Sequence, residues 1–137
     1  MEQKAPQQLE EGKAAFAFEA VKKNVEDNKV PSSNFSSYIK KMPSMIQVNG
    51  LGQTLAFYYS KSSSSGDGLA YKRIYETLSE WLEQKYPAYF KEHPELVQAV
   101  INVDSFDYRL MTVEIMSLLN WMKKFVSGMV KSVGEVS

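Results

Sequence analysis

The sequence predicts an all-α protein, a compact bundle of about six helices with a largely buried C-terminal helix. Apolar residues return every three or four positions through almost every segment, which is the spacing of an amphipathic helix. No stretch alternates apolar and polar residues for long enough to indicate a strand. Prolines and one run of serine and glycine divide the chain into segments of helix length.

Length and composition predict one cytoplasmic domain. The 137 residues match a single domain, so we expect one helical unit over residues 1–137. With no cysteine, the chain holds no disulfide, thiolate zinc site or iron-sulfur cluster. The first residues, MEQK, lack the pattern of a secretory signal, and no apolar run reaches the roughly 18 residues of a membrane span.

The first helix is predicted between Leu9 and Val25. Its apolar stripe is formed by residues at helical spacing: Ala14, Ala17, Phe18, Val21 and Val25. The polar side should face water and carries four charged residues: Lys13, Lys22, Lys23 and Glu26. The helix should end before Pro31, because proline cannot continue it.

The next two helices are predicted on either side of Pro43. The second is short and has Phe35, Tyr38, Ile39 and Met42 on one face, after which Pro43 either kinks it or, as we prefer, opens a third helix.

The third helix, from about Ser44 to Lys61, contains Gly50 and Gly52. Each interior glycine costs a helix about 1 kcal/mol relative to alanine, so both should have a structural role in close packing against another backbone.

Residues 62–68 form a serine and glycine run that predicts a flexible surface loop. The fourth helix follows and stops before Pro87, and its apolar positions are Leu69, Ile74, Leu78, Trp81 and Leu82. A short fifth helix should begin at His93-Pro94-Glu95, with proline in its first turn.

The last helix is predicted to begin near Asp104 or Ser105, either of which can cap it. It is the most apolar segment of the chain, and its apolar residues cover most of its circumference from Leu110 to Met122. Such a helix should be surrounded by the others, so we place it at the centre of the bundle.

Charge is balanced overall but unevenly distributed. With 16 basic and 16 acidic residues, the chain does not have the basic excess of a free-standing nucleic-acid binder. Residues 35–61 nevertheless contain three lysines and no acid, and residues 108–137 contain four basic residues against Glu114 and Glu135. If these segments pack side by side they form a modest basic face, and otherwise they are ordinary solvated lysines.

The sequence lacks the usual catalytic constellations. His93 is the single histidine and precedes a proline at a helix start, which favours a structural or exposed position over acid-base or metal chemistry. Asp104 and Asp107 are better explained as capping and first-turn residues than as metal ligands. Gly50-Leu51-Gly52 lacks the lysine-serine ending of a phosphate-binding loop. We therefore expect no enzyme, no cofactor and no metal.

Glu114 is the one charge within an apolar stretch, so we expect a structural ion pair. A buried carboxylate needs a cation or several hydrogen bonds, and a lysine or arginine of another helix, such as Lys61, is a candidate. Contact with a partner protein is the alternative. Trp121, at helical spacing in the same segment, is expected to fill the core.

Two blocks of sequence resemble a known family. Residues 46–61, IQVNGLGQTLAFYYSK, are similar to the signature of the small α-helical subunit, the fifth, of the type III-B CRISPR Cmr effector complex. A second block, YRLMTVE at residues 108–114 followed by LLNWMKKF at residues 118–125, resembles the C-terminal helix of that family. The blocks cover about a third of the chain. The serine-rich loop and the acidic N-terminal half depart from the pattern.

The resemblance implies a non-enzymatic architectural subunit that acts in antiviral defence. In that family several copies stack beside the backbone subunits that hold the guide RNA, and a basic surface lines the channel for guide and target RNA. The implied partners are therefore the large subunit, the backbone subunits, other copies of the chain, and RNA, which the isolated subunit should bind weakly. The residues implied for RNA backbone contact are Lys40, Lys41, Lys61, Arg109, Lys123 and Lys124.

The alternative is a helical adaptor or regulator that binds a partner protein without RNA. That hypothesis predicts an exposed apolar patch and no clustering of the lysines.

Overall fold

The computed structural model describes the backbone of residues 6–130 and the side chains of residues 12–130. In this range there is no strand, and six α-helices and a 3₁₀ turn form one bundle, which confirms the all-α prediction. The helices are α1 (Pro6–Glu26), α2 (Ser32–Asn49), α3 (Leu51–Lys61), α4 (Gly66–Lys85), α5 (Leu96–Ile101) and α6 (Ser105–Met129), and the 3₁₀ turn is Pro87–Phe90. None of the helices described is long and apolar enough to cross a membrane.

Helix α6 is the element around which the bundle forms. It packs against α1, α2, α4 and α5, and it runs parallel to α1, because Lys13 contacts Ser117 and Phe18 contacts Phe125. Its inner stripe consists mainly of fully buried apolar residues: Met111, Ile115, Leu118, Leu119, Met122 and Val126.

The expectation that α6 is surrounded is wrong for its outer face. Phe106 and Val113 are each 67% exposed, and Leu110 is also exposed. The neighbouring helices cover one side of α6, so an apolar circumference in the sequence does not translate into burial on every side.

The boundary between α2 and α3 differs from the prediction. Helix α2 continues through Pro43, because Met42 and Ile46, on either side of it, both pack in the core. The chain breaks instead at Gly50, whose φ of 86° lies in the region that favours glycine. The Gly50 N–H donates to the Ile46 carbonyl at 2.8 Å and its carbonyl accepts from the Thr54 hydroxyl at 2.9 Å, so the residue joins the two helices by capping both.

The predicted end of α4 before Pro87 and the predicted start of α6 agree with the structure, but α5 begins at Leu96, so Pro94 lies before the helix and not in its first turn. The Asp104 carboxylate accepts from the Asp107 N–H at 2.8 Å, which is the predicted N-cap of α6. Helix α4 begins at Gly66, so only residues 62–65 of the predicted loop lie outside helices. The Ser63 N–H donates to the Gly68 carbonyl at 3.0 Å across this connection. The flexibility of the loop stays a prediction.

Arg73 links α4 to the end of α1. Its guanidinium donates to the Asn24 side-chain oxygen and to the Asp27 carboxylate, each at 3.0 Å. The Lys29 N–H, followed by Arg73, holds the pKa of the Asp27 carboxyl below its ordinary value of 3.8. Because the folded-state pKa is lowered, the ionised Asp27 carboxylate contributes to stability above pH 3.8. This contribution is lost as the pH falls through the folded-state pKa.

We therefore expect Asp27→Asn to lower the melting temperature modestly at pH 7, and the difference from the wild type to narrow as the pH approaches 3. Thermal unfolding of both proteins between pH 7 and pH 3 measures it. A difference that is the same at every pH would show that the Asp27 charge does not stabilise the fold.

Candidate nucleic-acid interface

Three aromatic side chains from three helices form a cluster beneath two of the predicted lysines. Tyr38 of α2 stacks on Tyr71 of α4 with ring centroids 3.9 Å apart and planes 13° apart. Phe57 of α3 meets the Tyr71 ring edge-on at 5.9 Å. Tyr38 and Phe57 are half-buried, and Tyr71 is buried. We call these three residues the aromatic cluster.

The ammonium groups of Lys41 and Lys61 lie over this cluster. Lys41 Nζ is 4.6 Å from the centroid of the Tyr38 ring and 6.0 Å from that of Phe57, and it donates to the Tyr71 hydroxyl at 3.3 Å. Lys61 Nζ is 5.6 Å from the Phe57 centroid. Both lysines are exposed, and attraction between a cation and a ring face favours these positions of the ammonium groups.

Lys40 completes what we call the first lysine group, Lys40, Lys41 and Lys61. It precedes Lys41 on α2 and is exposed. Burial raises the pKa of the Tyr38 hydroxyl, with the neighbouring Tyr71 as the next cause. The Tyr38 hydroxyl therefore stays neutral at ordinary pH and does not reduce the positive charge of the group.

Lys123 and Lys124 form a second lysine group near the end of α6. Both are exposed, and Lys124 Nζ lies 5.6 Å from the Trp121 ring. Trp121 is half-buried and stacks on Phe125, and Phe125 meets Phe18 of α1 edge-on at 5.2 Å. The second group is thus supported by α1, whereas the first is supported by α3 and α4.

Arg109 stands apart from the second lysine group. It is exposed near the start of α6, 14 residues before Lys123, which is about 21 Å along the helix axis. The six residues predicted for RNA contact therefore occupy three places on the surface. Their contact with RNA stays a prediction.

Three of the four acidic residues of α4 lie in a different groove, whereas the fourth, Asp67, accepts from the Asn34 side-chain amide of α2 and lies near Tyr38. Glu76, Glu80 and Glu83 are exposed and line the groove together with Glu95, which precedes α5. The Glu95 carboxylate accepts from the Tyr75 hydroxyl at 2.5 Å, which holds this groove to the start of α5. This separation of charges explains how a chain of zero net charge presents cationic groups elsewhere.

Glu114 is buried and paired, but the candidate partner Lys61 is wrong. Its carboxylate lies 3.1 Å from Lys13 Nζ and 3.6 Å from Lys85 Nζ, and it accepts from the Trp81 Nε1–H at 3.2 Å. Lys61 instead lies exposed over Phe57, four residues before it on α3. The ion cluster connects α1, α4 and α6.

Lys13 also corrects the prediction of a solvated polar side on α1. It is 8% exposed, and its ammonium donates to the Ser117 hydroxyl at 2.8 Å as well as pairing with Glu114. A signal was present in the sequence, because Lys13 lies four residues before Ala17 and eight before Val21, both of which are buried. A charge that continues an apolar stripe is a candidate for a buried ion pair.

Gly50 and Gly52 are packed by a side chain rather than by a backbone. The Gly52 N–H donates to the Tyr108 hydroxyl at 2.9 Å. A Cβ on Gly50 would lie 3.2 Å from this hydroxyl oxygen, and a Cβ on Gly52 would lie 3.5 Å from it and from the Ile101 Cγ2. The expected close approach is therefore present, but Tyr108 of α6 provides it.

An open apolar groove lies beside these glycines, between α3, α5 and the start of α6. Val97, Val100 and Ile101 line it from α5, and Ile101 is 63% exposed. Val103, in the connection between α5 and α6, and Ala56 of α3 continue the apolar lining.

The aromatic cluster was missed by sequence reasoning, although its spacing gives a signal. Tyr38 precedes Lys41 by three residues and Phe57 precedes Lys61 by four, which places each pair on one face of its helix. The spacing does not show that α2, α3 and α4 contact one another, and this contact brings the two pairs together.

The part of the chain that the structure describes holds no group of three or more histidine, cysteine, aspartate or glutamate side chains that could bind a metal ion. Asp104 caps α6, and Asp107 accepts from the Tyr89 hydroxyl at 2.5 Å. Asp104 therefore has the predicted capping role, and Asp107 lies in the first turn of α6, where its carboxylate links the helix to the 3₁₀ turn.

The fold and these surfaces define a small all-helical protein with two cationic groups and an apolar groove. A family model described as CRISPR-associated protein Cas_Cmr5 matches residues 9–129, so the chain belongs to the Cmr5 family of CRISPR-associated proteins. This confirms the resemblance that the two sequence blocks indicate. Membership makes the chain a subunit of a type III-B CRISPR Cmr complex, with other Cmr subunits as partners.

A solved structure agrees with the fold. The crystal structure of a CRISPR-associated Cmr5 family protein from Thermus thermophilus superposes with a TM-score of 0.70 at 21% sequence identity. The match covers 88% of this chain and 99% of the other. At this identity the likeness supports the arrangement of helices and says nothing about individual surface residues.

Proposed function

We propose that this chain is a non-catalytic structural subunit that contacts the backbone of guide or target RNA through its lysines. The observation that supports the proposal most directly is the first lysine group, in which two ammonium groups from different helices meet over one aromatic cluster. Lysines bind phosphates through charge and carry no base preference. That suits a complex in which base pairing with a guide supplies the sequence specificity.

Assembly is the second part of the proposal. Copies of the chain stack beside the guide-binding backbone subunits and also meet the large subunit, in the cytoplasm. The apolar groove of α3, α5 and α6 supports this role, because Val97 and the exposed Ile101 give it an apolar contact surface. Zero net charge makes the RNA affinity of one isolated copy weak, so repeated contacts along a stack supply the binding strength through avidity.

The lysines give the test of RNA contact. Replacing Lys40, Lys41 and Lys124 with glutamine is expected to weaken retention of target RNA by the assembled complex on the order of tenfold at physiological salt. The plot of log affinity against log salt should become less steep by about 2, because each phosphate contact contributes roughly 0.7 for single-stranded RNA. Filter binding of labelled target RNA across a salt series measures both quantities.

The matched control removes three charges elsewhere. Lys23, Lys29 and Lys91 are exposed and lie outside both lysine groups, so their replacement with glutamine should leave the slope nearly unchanged. An unaltered slope in the Lys40, Lys41 and Lys124 variant would remove these lysines from the RNA contact.

The adaptor that binds a partner protein without RNA is the second candidate function. The exposed Phe106 and Val113 favour it, since it requires an exposed apolar surface. The meeting of Lys41 and Lys61 over Phe57 argues against it, because it predicts lysines that do not cluster. The same salt series separates the two candidates.

A further inference from the structure

The Phe57 ring is shared by two cations that come from different helices. Lys41 Nζ lies 6.0 Å and Lys61 Nζ 5.6 Å from the ring centroid. The two ammonium groups are therefore within about 12 Å of each other. Two ammonium groups no farther apart than this can reach one phosphate or neighbouring phosphates of an extended strand.

The ring itself is held by buried neighbours. Phe57 meets Tyr58 at 6.0 Å and Tyr71 at 5.9 Å, both edge-on. Tyr58 is fully buried, and its hydroxyl donates to the Tyr38 carbonyl at 2.5 Å. The position of the Phe57 ring is thus set by the core, although the ring is half-exposed.

The lysines gain fixed positions from these contacts. A lysine side chain on a protein surface normally samples many rotamers, and ordering it on binding an anion lowers the affinity. Lys41 also donates to the Tyr71 hydroxyl, and since an ammonium has three donors it keeps others for a phosphate oxygen. In contrast, the Lys40 ammonium lies over no ring among the residues that the structure describes.

We propose that Phe57 is a positioning residue for RNA, which holds the ammonium groups of Lys41 and Lys61 ready to bind backbone phosphates. The inference rests on the proposed function, because it assigns a role to a neutral residue within the same RNA contact. Phe57 touches the lysines and acts through them. The contribution of Phe57 to RNA binding therefore depends on the charges of Lys41 and Lys61.

A double-mutant cycle tests this role in the reconstituted complex with a target RNA complementary to its guide. Phe57→Leu keeps every charge, and we expect it to weaken target RNA binding about threefold to tenfold, the size of one or two exposed cation-ring contacts. The salt slope should stay as in the wild type, since the number of charges is unchanged. In a Lys41→Gln, Lys61→Gln background the same change should have almost no effect.

Lys40 provides the matched background. Phe57→Leu should have its full effect in a Lys40→Gln protein, because Lys40 does not use the ring. Phe57→Trp retains a ring face and should bind target RNA at least as tightly as the wild type. Thermal unfolding of each isolated chain checks that the variants are folded at the temperature of the binding measurement.

The outcomes distinguish the positioning role from the proposed function. If Phe57→Leu weakens binding equally in the wild-type and the Lys41, Lys61 backgrounds, or if Phe57→Trp weakens it as much as leucine does, Phe57 acts through the fold and the positioning role is wrong. If the lysine variants themselves bind target RNA as the wild type does, the RNA contact of the first lysine group is wrong, and the positioning role fails with it.

Discussion

Replacing Glu114 with alanine is expected to destabilise the fold by about 3 to 5 kcal/mol, the usual result of removing one partner from a buried ion pair. In a chain of 137 residues this lowers the melting temperature by about 10 °C or more. The change should act on folding, and protein that is still folded at low temperature should keep its RNA affinity.

The physical reason is that removing the carboxylate takes a charged partner from Lys13 and a hydrogen-bond acceptor from Trp81. The side chains of Lys13 and Glu114 are 10% and 11% exposed, so the Lys13 ammonium would lose a charged partner in a place that water reaches poorly. The Trp81 N–H would lose its acceptor in the same place, and Phe16, whose ring lies 4.9 Å from that of Trp81, packs against it. Lys85 is more exposed and can be hydrated instead.

Chemical and thermal unfolding measure the effect of the Glu114 substitution, with two comparisons. Glu83→Ala removes an exposed carboxylate from α4 and should change stability by less than about 0.5 kcal/mol. Lys13→Met combined with Glu114→Leu removes both charges and should recover part of the loss. A melting temperature of Glu114→Ala equal to that of the wild type would show that the ion cluster is not a structural requirement.

Gly50→Ala is the second substitution with a large expected effect, a loss of about 2 kcal/mol. Gly50 has φ 86° and ψ 160°, a conformation that essentially only glycine adopts. An added Cβ would also lie 3.2 Å from the Tyr108 hydroxyl oxygen, which accepts the Gly52 N–H. The substitution therefore strains the joint between α2 and α3 and disturbs its contact with α6.

Two other glycines give matched controls for this prediction. A Cβ on Gly52 would make ordinary contacts at 3.5 Å, so Gly52→Ala should be close to neutral. Gly128 lies inside α6 with open space around it, and Gly128→Ala should stabilise the protein by about 0.5 to 1 kcal/mol. Denaturant unfolding of the three variants tests this order of stability. A Gly50→Ala protein as stable as Gly52→Ala would contradict it.

Much of the helical layout followed from local sequence. Helices α4 and α6 have strong periodic patterns and clear start signals, such as Asp104 before α6, and the structure agrees with their boundaries. The division of residues 32–61 did not follow, because the local pattern favours a break at Pro43 and the structure breaks at Gly50. A proline is tolerated in a helix whose flanking residues are buried, whereas a glycine with positive φ cannot continue one.

The candidate site was predictable only in part. The acid-free segment and the family resemblance both indicate the lysines. The residues beneath them, Tyr38, Phe57 and Tyr71, lie on three helices, and no local pattern states that these helices meet. The partner of Glu114 was missed for the same reason, since Lys13 lies 101 residues away in the chain.

The sequence by itself determined the fold class, most helix boundaries and the family, because helix periodicity, capping residues and the two family blocks are local properties of the chain. The tertiary structure decided which lysines pair with Glu114, which apolar face of α6 stays exposed, and which lysines share a ring. These outcomes depend on distances between residues far apart in sequence. Such distances are set by how the helices pack against one another, and the spacing within a single helix does not contain them.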